Sequence, residues 1–163
     1  MTDFAEAFNR GQEAAVIAAK ARAEVEEVFA NANAQLLSVT NGQLELGRAN
    51  FEKPRKRTAA NFLAMGGALA NFFDTTPSET EPWITARNPK AADSSWAKLA
   101  RWDRPHDGYP CLLSYDNKDV RCHDQDSLAE AIAELLASSW GGEKLHALLS
   151  RPLKHGAPGT SES

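Results

Sequence analysis

The sequence predicts an α+β domain: a long N-terminal amphipathic helix, with antiparallel β-hairpins packed against two or three further helices. Three observations carry this. Apolar or small residues recur at Phe4, Ala7, Gly11, Ala14, Ala18, Ala21, Val25, Val28 and Ala32, at spacings that alternate three and four. Two later segments alternate apolar and polar residues around turn-forming pairs, Asn41-Gly42 and Asp116-Asn117-Lys118-Asp119. Between and after them lie runs with apolar residues at helical spacing.

The helix comes first. A second row, Phe8, Ala15, Phe29 and Leu36, widens its stripe, and Arg22 alone interrupts that row. This is the apolar face of an amphipathic helix. Roughly thirty residues at a 1.5 Å rise give about 45 Å, longer than a small domain is wide. Asp3 and Glu6 stand in a capping-box arrangement at its start. Asn31 and Asn33 mark its expected end, so residues 1–35 are assigned to an oligomerisation helix. Its face offers Phe4, Phe8, Gly11, Ala14, Ala18, Val25, Val28 and Phe29 to another copy of the chain. The small residues allow close approach, and Val25, Val28 and Phe29 supply apolar area.

The domain proper is assigned to residues 36–150, with residues 151–163 as a disordered tail. Asn41-Gly42 suits a two-residue turn in which both positions take positive φ. The expected hairpin pairs Val39 with Leu44 and Leu37 with Leu46. Residues 50–57 read as a polar connector. Thr58 caps a predicted helix to about Phe73, with Phe62, Met65, Leu69 and Phe72 inward and Gly66-Gly67 in its middle. Asp74 to Pro82 reads as a loop. Trp83 to Arg87 reads as a strand, while Trp96 to Trp102 suits either a strand or a short helix capped by Asp93. A second hairpin is centred on Asn117-Lys118, pairing Tyr115 with Val120 and Leu113 with Cys122. Ser127 and Glu130 resemble a capping box for a helix with Leu128, Ile132, Leu135 and Leu136 inward, which Gly141-Gly142 is expected to end.

Composition bounds the function. Hydrophobic residues make up 42% and charged residues 25%, the proportions of an ordinary soluble protein. No apolar run approaches the roughly 20 residues that cross a bilayer, so no membrane partner is expected. The start of the chain lacks the basic and apolar stretches of a signal peptide. Cys111 and Cys122 form no disulfide framework. These points lead to the expectation of a reducing, bacterial-type cytoplasm.

Motifs for chemistry are sparse. Cys111, Cys122, His123, Asp124 and His106 lie close in sequence, but no metal-ligand spacing joins them. His123 and Asp124 are adjacent on a predicted strand, so their side chains diverge; Asp124 suits a helix cap better. No nucleophile elbow, zinc-protease pair or phosphate loop is present. No metal and no cofactor is expected, and nothing points to an enzyme.

The net charge of −4 is unevenly spread. Residues 1–49 hold four basic and seven acidic side chains, residues 50–105 nine and six, and residues 106–163 five and nine. The basic middle contains Lys53, Arg55, Lys56 and Arg57, and near it Arg101 stands between Trp96 and Trp102. Cations beside aromatic rings are what a nucleic-acid binder uses, although an acidic chain opposes phosphate affinity. The leading expectation is therefore a non-catalytic protein-interaction module working as a homo-oligomer, of the kind an accessory protein of a mobile element would be. The alternative is a weak nucleic-acid binder using residues 53–57 with Trp96, Arg101 and Trp102. A small enzyme with an unrecognised site comes third.

Overall fold

The computed structural model describes residues 1–53 and 79–154. The predicted helix over 58–73, its glycine pair, and most of the 74–82 loop lie outside the described residues. The architecture is α+β, as the sequence predicts. Helix α1 (Phe4–Val39) is followed by strands β1 (Glu45–Glu52), β2 (Thr80–Arg87), β3 (Ala97–Asp103), β4 (Cys111–Tyr115) and β5 (Lys118–Cys122), then helices α2 (Gln125–Ala137) and α3 (Ser139–Leu149). The strands form one sheet in sequence order, and the pairs from β2 to β5 are antiparallel. The chain divides into two compact units, Met1–Ala49 with Pro82–Ser163, and Asn50–Glu81. In the second unit, Lys53 pairs with Glu79 through both backbone and side chain, at 2.8 and 3.6 Å.

The first unit builds its core from alternation. Trp102 lies opposite Leu113, and Leu113 opposite Val120; Arg101 and Asp103 point the other way and are exposed. Val25, Val28 and Phe29 of α1 and Leu128, Ile132 and Leu135 of α2 join the buried side of this sheet. The Phe29 and Trp102 rings meet edge to face at 5.0 Å. Burying each such side chain contributes roughly 1.5–3 kcal/mol. Between Ile84 and Thr85 the register slips, leaving Leu99 as a bulge with no opposite residue on β2. The indole N–H of Trp140 donates to the Leu99 carbonyl at 2.8 Å.

Several expectations need correction. The first hairpin does not form, because α1 runs through Val39 rather than ending near residue 35. Asn41 and Gly42 do take positive φ, 54° and 81°, but they close a helix. The Gly42 N–H donates to the Leu37 carbonyl at 2.8 Å and the Asn41 N–H to Ser38 at 3.4 Å, the paired bonds of a Schellman cap. Asn33 does not stop the helix; its Oδ1 accepts the Leu46 N–H at 2.8 Å and ties α1 to β1. Thr80 to Pro82 belong to β2 rather than a loop, and the segment after Trp96 is a strand.

The second hairpin forms one turn position earlier than expected. Asp116 and Asn117 hold φ of 51° and 60°, so Tyr115 pairs with Lys118, Leu113 with Val120 and Cys111 with Cys122. Asp and Asn tolerate the left-handed region that Lys118 would resist. Asp124 caps α2 by accepting the Ser127 N–H at 2.8 Å, and the Ser127 hydroxyl in turn accepts the Asp124 N–H at 3.2 Å. The expected Ser127–Glu130 box is therefore displaced by one turn. Ser138 ends α2 and caps α3, so Gly141-Gly142 lie inside a helix, not at its end. Residues 151–154, assigned to the tail, are held: Ala92 N–H bonds to Pro152 and Lys154 N–H to Lys90 at 2.8 and 3.0 Å.

The α2–α3 junction gives a direct test. A Cβ on Gly141 would stand 2.0 Å from the Leu135 carbonyl oxygen, whereas one on Gly142 would meet nothing within 4 Å. We expect Gly141→Ala to lower unfolding free energy by roughly 2–3 kcal/mol through forced displacement of backbone. Gly142→Ala should raise it by about 0.5–1 kcal/mol through helix propensity. Urea denaturation of the two variants measures the difference, and equal effects would refute this account of the junction.

Candidate interaction surfaces

The apolar stripe of α1 changes its role along the helix. From Ala18 onward it faces the chain's own core: Ala18, Ala21, Val25, Val28 and Phe29 are buried. Arg22, the interruption in the sequence pattern, donates to the His106 carbonyl at 2.6 Å and anchors the β3–β4 loop beneath the helix. Glu24 accepts from the Tyr109 hydroxyl at 3.1 Å, and Arg48 sits over the Phe29 ring at 4.3 Å while pairing with Glu26. That pairing holds the Glu26 carboxyl below its usual range. Of the residues expected to contact another copy, Ala18, Val25, Val28 and Phe29 thus serve the domain itself.

The other half of the stripe has no such cover. Every residue from Met1 to Ile17 is exposed. Phe4 is 77% exposed, Phe8 64%, Val16 70% and Ile17 69%, and Gly11 has nothing within 4 Å of where a Cβ would be. At 1.5 Å per residue, this arm projects by about 20 Å. Asp3 caps it, accepting the Glu6 N–H at 3.1 Å.

A second surface lies between α1 and α2. A groove of about 640 Å³ runs along Val28, Ala32, Leu36 and Val39 on one wall and Ala129, Ile132, Ala133 and Leu136 on the other. Val39 is 77% exposed at its end. Sequence reasoning missed this groove, because its walls are about ninety residues apart in the chain. The available signal was a surplus: Ala129, Ala133 and Leu136 form a second apolar row on α2, beside the one that enters the core.

The residues considered for nucleic acid do not form one surface in the described structure. Trp102 is 6% exposed and packed on Phe29, on the opposite side of β3 from Arg101. Trp96 is half-buried beneath the Arg87 guanidinium, 4.6 Å from its ring centre. Lys53 pairs with Glu79. Arg55, Lys56 and Arg57 lie outside the described residues.

The groups considered for catalysis and metal binding also disperse. His123 and His106 are exposed, and Asp124 is a helix cap whose carboxyl is held low by its bonds to Ser127. Among the described residues, no three His, Cys, Asp or Glu side chains gather where they could share a metal ion. Cys111 and Cys122 are free thiols with no exposed surface, directly opposed rather than diagonal across the hairpin. Burial pushes the Cys111 thiol up to about 12, and burial with the nearby Asp124 charge raises Cys122 as well. Cys111 Sγ donates to the Gly108 carbonyl at 3.1 Å. No protein-family model, curated protein or solved structure matches the chain.

The thiols make a prediction with a definite sign. A thiol whose folded pKa is raised stabilises the fold fully below its ordinary pKa of 9.0, and this contribution is lost as pH rises from 9.0 towards about 12. Stability measured by chemical denaturation should therefore decline across that alkaline window, and less so in the Cys111→Ala, Cys122→Ala double variant. At pH 8, native-state thiol labelling should be on the order of a hundredfold slower than for free cysteine. Rapid labelling of the folded protein would contradict the buried pair.

Proposed function

We propose that this protein is a non-catalytic interaction module that self-associates through the projecting arm of α1. The observation that carries the reading is the exposure of every residue from 1 to 17, with Phe4 and Phe8 of the stripe uncovered. A helical segment this short is marginal by itself in water. Here it continues a helix seated on its own domain, so it is held in place without being covered. Phe4 and Phe8 lie at one end of the arm's stripe, and Gly11, Ala14 and Ala15 at the other. Bulky side chains on one copy can then enter the shallow positions of another, as knobs fill holes between paired helices. The setting that fits two buried free thiols is a reducing compartment such as the cytoplasm.

The nucleic-acid reading is weaker on the same grounds. It loses Trp102 to the core, and a net charge of −4 opposes phosphate attraction.

Light scattering at micromolar concentration should give a mass above the 17.7 kDa of one chain. Phe4→Glu with Phe8→Glu should return the protein to a folded monomer, its circular dichroism unchanged, since both rings are exposed in the single chain. Val25→Glu should instead unfold the domain, because it buries an unpaired charge at a site with 0% exposure. A monomeric mass for the unmodified protein would overturn the proposal.

A further inference from the structure

The groove between α1 and α2 has a chemical bias that its shape alone would not show. From Ala23 to Val39, and from Gln125 to Ala137, neither helix carries a lysine or an arginine. Both carry carboxylates. Glu24 and Glu26 are engaged by Tyr109 and Arg48. Glu27 and Asp126 line the groove itself. Glu130 and Glu134 are exposed further round α2, turning away from the groove at the helical 100° per residue. Val28, Leu36, Ala129, Ile132 and Leu136 make the lining mainly apolar, with Asn31, Gln35 and Gln125 as uncharged polar groups among them.

We infer that this groove docks a cationic amphipathic helix of a partner protein. A mainly apolar groove with one carboxylate from each wall, Glu27 and Asp126, and no cation on either matches a helix with an apolar face and Lys or Arg on its flanks. Each wall runs for about 16 Å at the helical rise, room for three turns of a partner helix. The projecting arm of a second copy is a poorer occupant: it carries Asp3, Glu6 and Glu13 against Arg10, so its charge has the same sign as the groove's. The inference rests on the reading of this protein as an interaction module, but it uses a different surface from self-association.

The test uses two labelled synthetic peptides of about 14 residues, three to four helical turns. They share leucines at i, i+4, i+7 and i+11; one has lysine flanks and the other glutamate flanks. Fluorescence anisotropy follows each against the full chain and against the full-chain F4E/F8E variant. We expect saturable binding of the lysine peptide to both proteins alike, and binding of the glutamate peptide at least about tenfold weaker. Ala129→Arg with Ala133→Arg, both at exposed positions, should abolish binding. Glu27→Gln with Asp126→Asn should weaken it about tenfold and reduce its salt dependence. Circular dichroism checks that each variant remains folded. No binding, equal binding of the two peptides, or insensitivity to the arginine pair would overturn the inference. Markedly tighter binding to F4E/F8E would also overturn it, since the arm would then be the groove's occupant. Light scattering on the same samples reports self-association separately, so either idea can fail without the other.

Discussion

The contact of Phe29 with Trp102, 5.0 Å between ring centres, is the seat on which the described fold rests. It fixes a 36-residue helix to the middle of a five-stranded sheet, one helical turn from Val25 and beside Val28. Around it, polar bonds set the helix's rotation and height. Asn33 reaches β1 through the Leu46 amide, Arg22 holds the His106 carbonyl, and Glu24 receives Tyr109. Arg48 closes the seat from the side, stacked on Phe29 and paired with Glu26. An apolar stripe alone would let the helix slide or roll, since it is non-directional. The polar ties come from several elements and leave one position.

The other two helices answer a different problem. The bulge at Leu99 lets Leu99 and Ala100 both turn inward, with no exposed surface, and it interrupts the pairing of β3 with β2 at the buried Leu99 backbone. A buried unpaired carbonyl costs about 1–3 kcal/mol. Trp140 supplies a donor to the Leu99 carbonyl there. It can do so because Ser138 breaks α2 from α3 and Gly141 permits the tight junction. The small residues near 138–142, which read from sequence as the end of a helix, are the joint that brings an indole to the sheet.

Much of this was legible in the residues. The stripe from Phe4 to Ala32 names a helix, and Asp124 reads as a cap; the segment from Trp96 to Trp102 suited strand and helix equally, so the opposite facing of Arg101 and Trp102 came only with the strand. The errors came where one local signal serves two structures. Asn41-Gly42 supplies positive φ equally to a hairpin turn and to a Schellman cap, and only the packing of Leu36 against the core decides for helix. The second hairpin was misread by one turn position because Asp116, Asn117 and Lys118 are all polar, and only the backbone preference of the first two separates them. The stripe was ambiguous in a deeper sense. Periodicity shows that a helix face is apolar, but not whether the cover is the chain's own sheet or another molecule. Here both halves carry the same period, and only the first is bare. The α1–α2 groove had no local signature, because it belongs to two distant segments at once.

A single continuous helix carrying both surfaces has a mechanical consequence. The C-terminal half of α1 is one wall of the groove, and its N-terminal half is the arm. No proline interrupts the helix, and its one interior glycine, Gly11, lies within the arm. The direction of the arm is therefore inherited from the Phe29–Trp102 seat. An assembly built through the arms would hold its grooves at a set distance and angle, because no flexible linker intervenes. Two helices of a partner, presented at that spacing, would then bind with an effective concentration far above either alone. The shared negative charge of arm and groove acts in the same direction, since it keeps the arm of one copy out of the groove of the next. In an assembly that paired along the stripe, repulsion at the groove would favour a closed pairing over an open chain of copies.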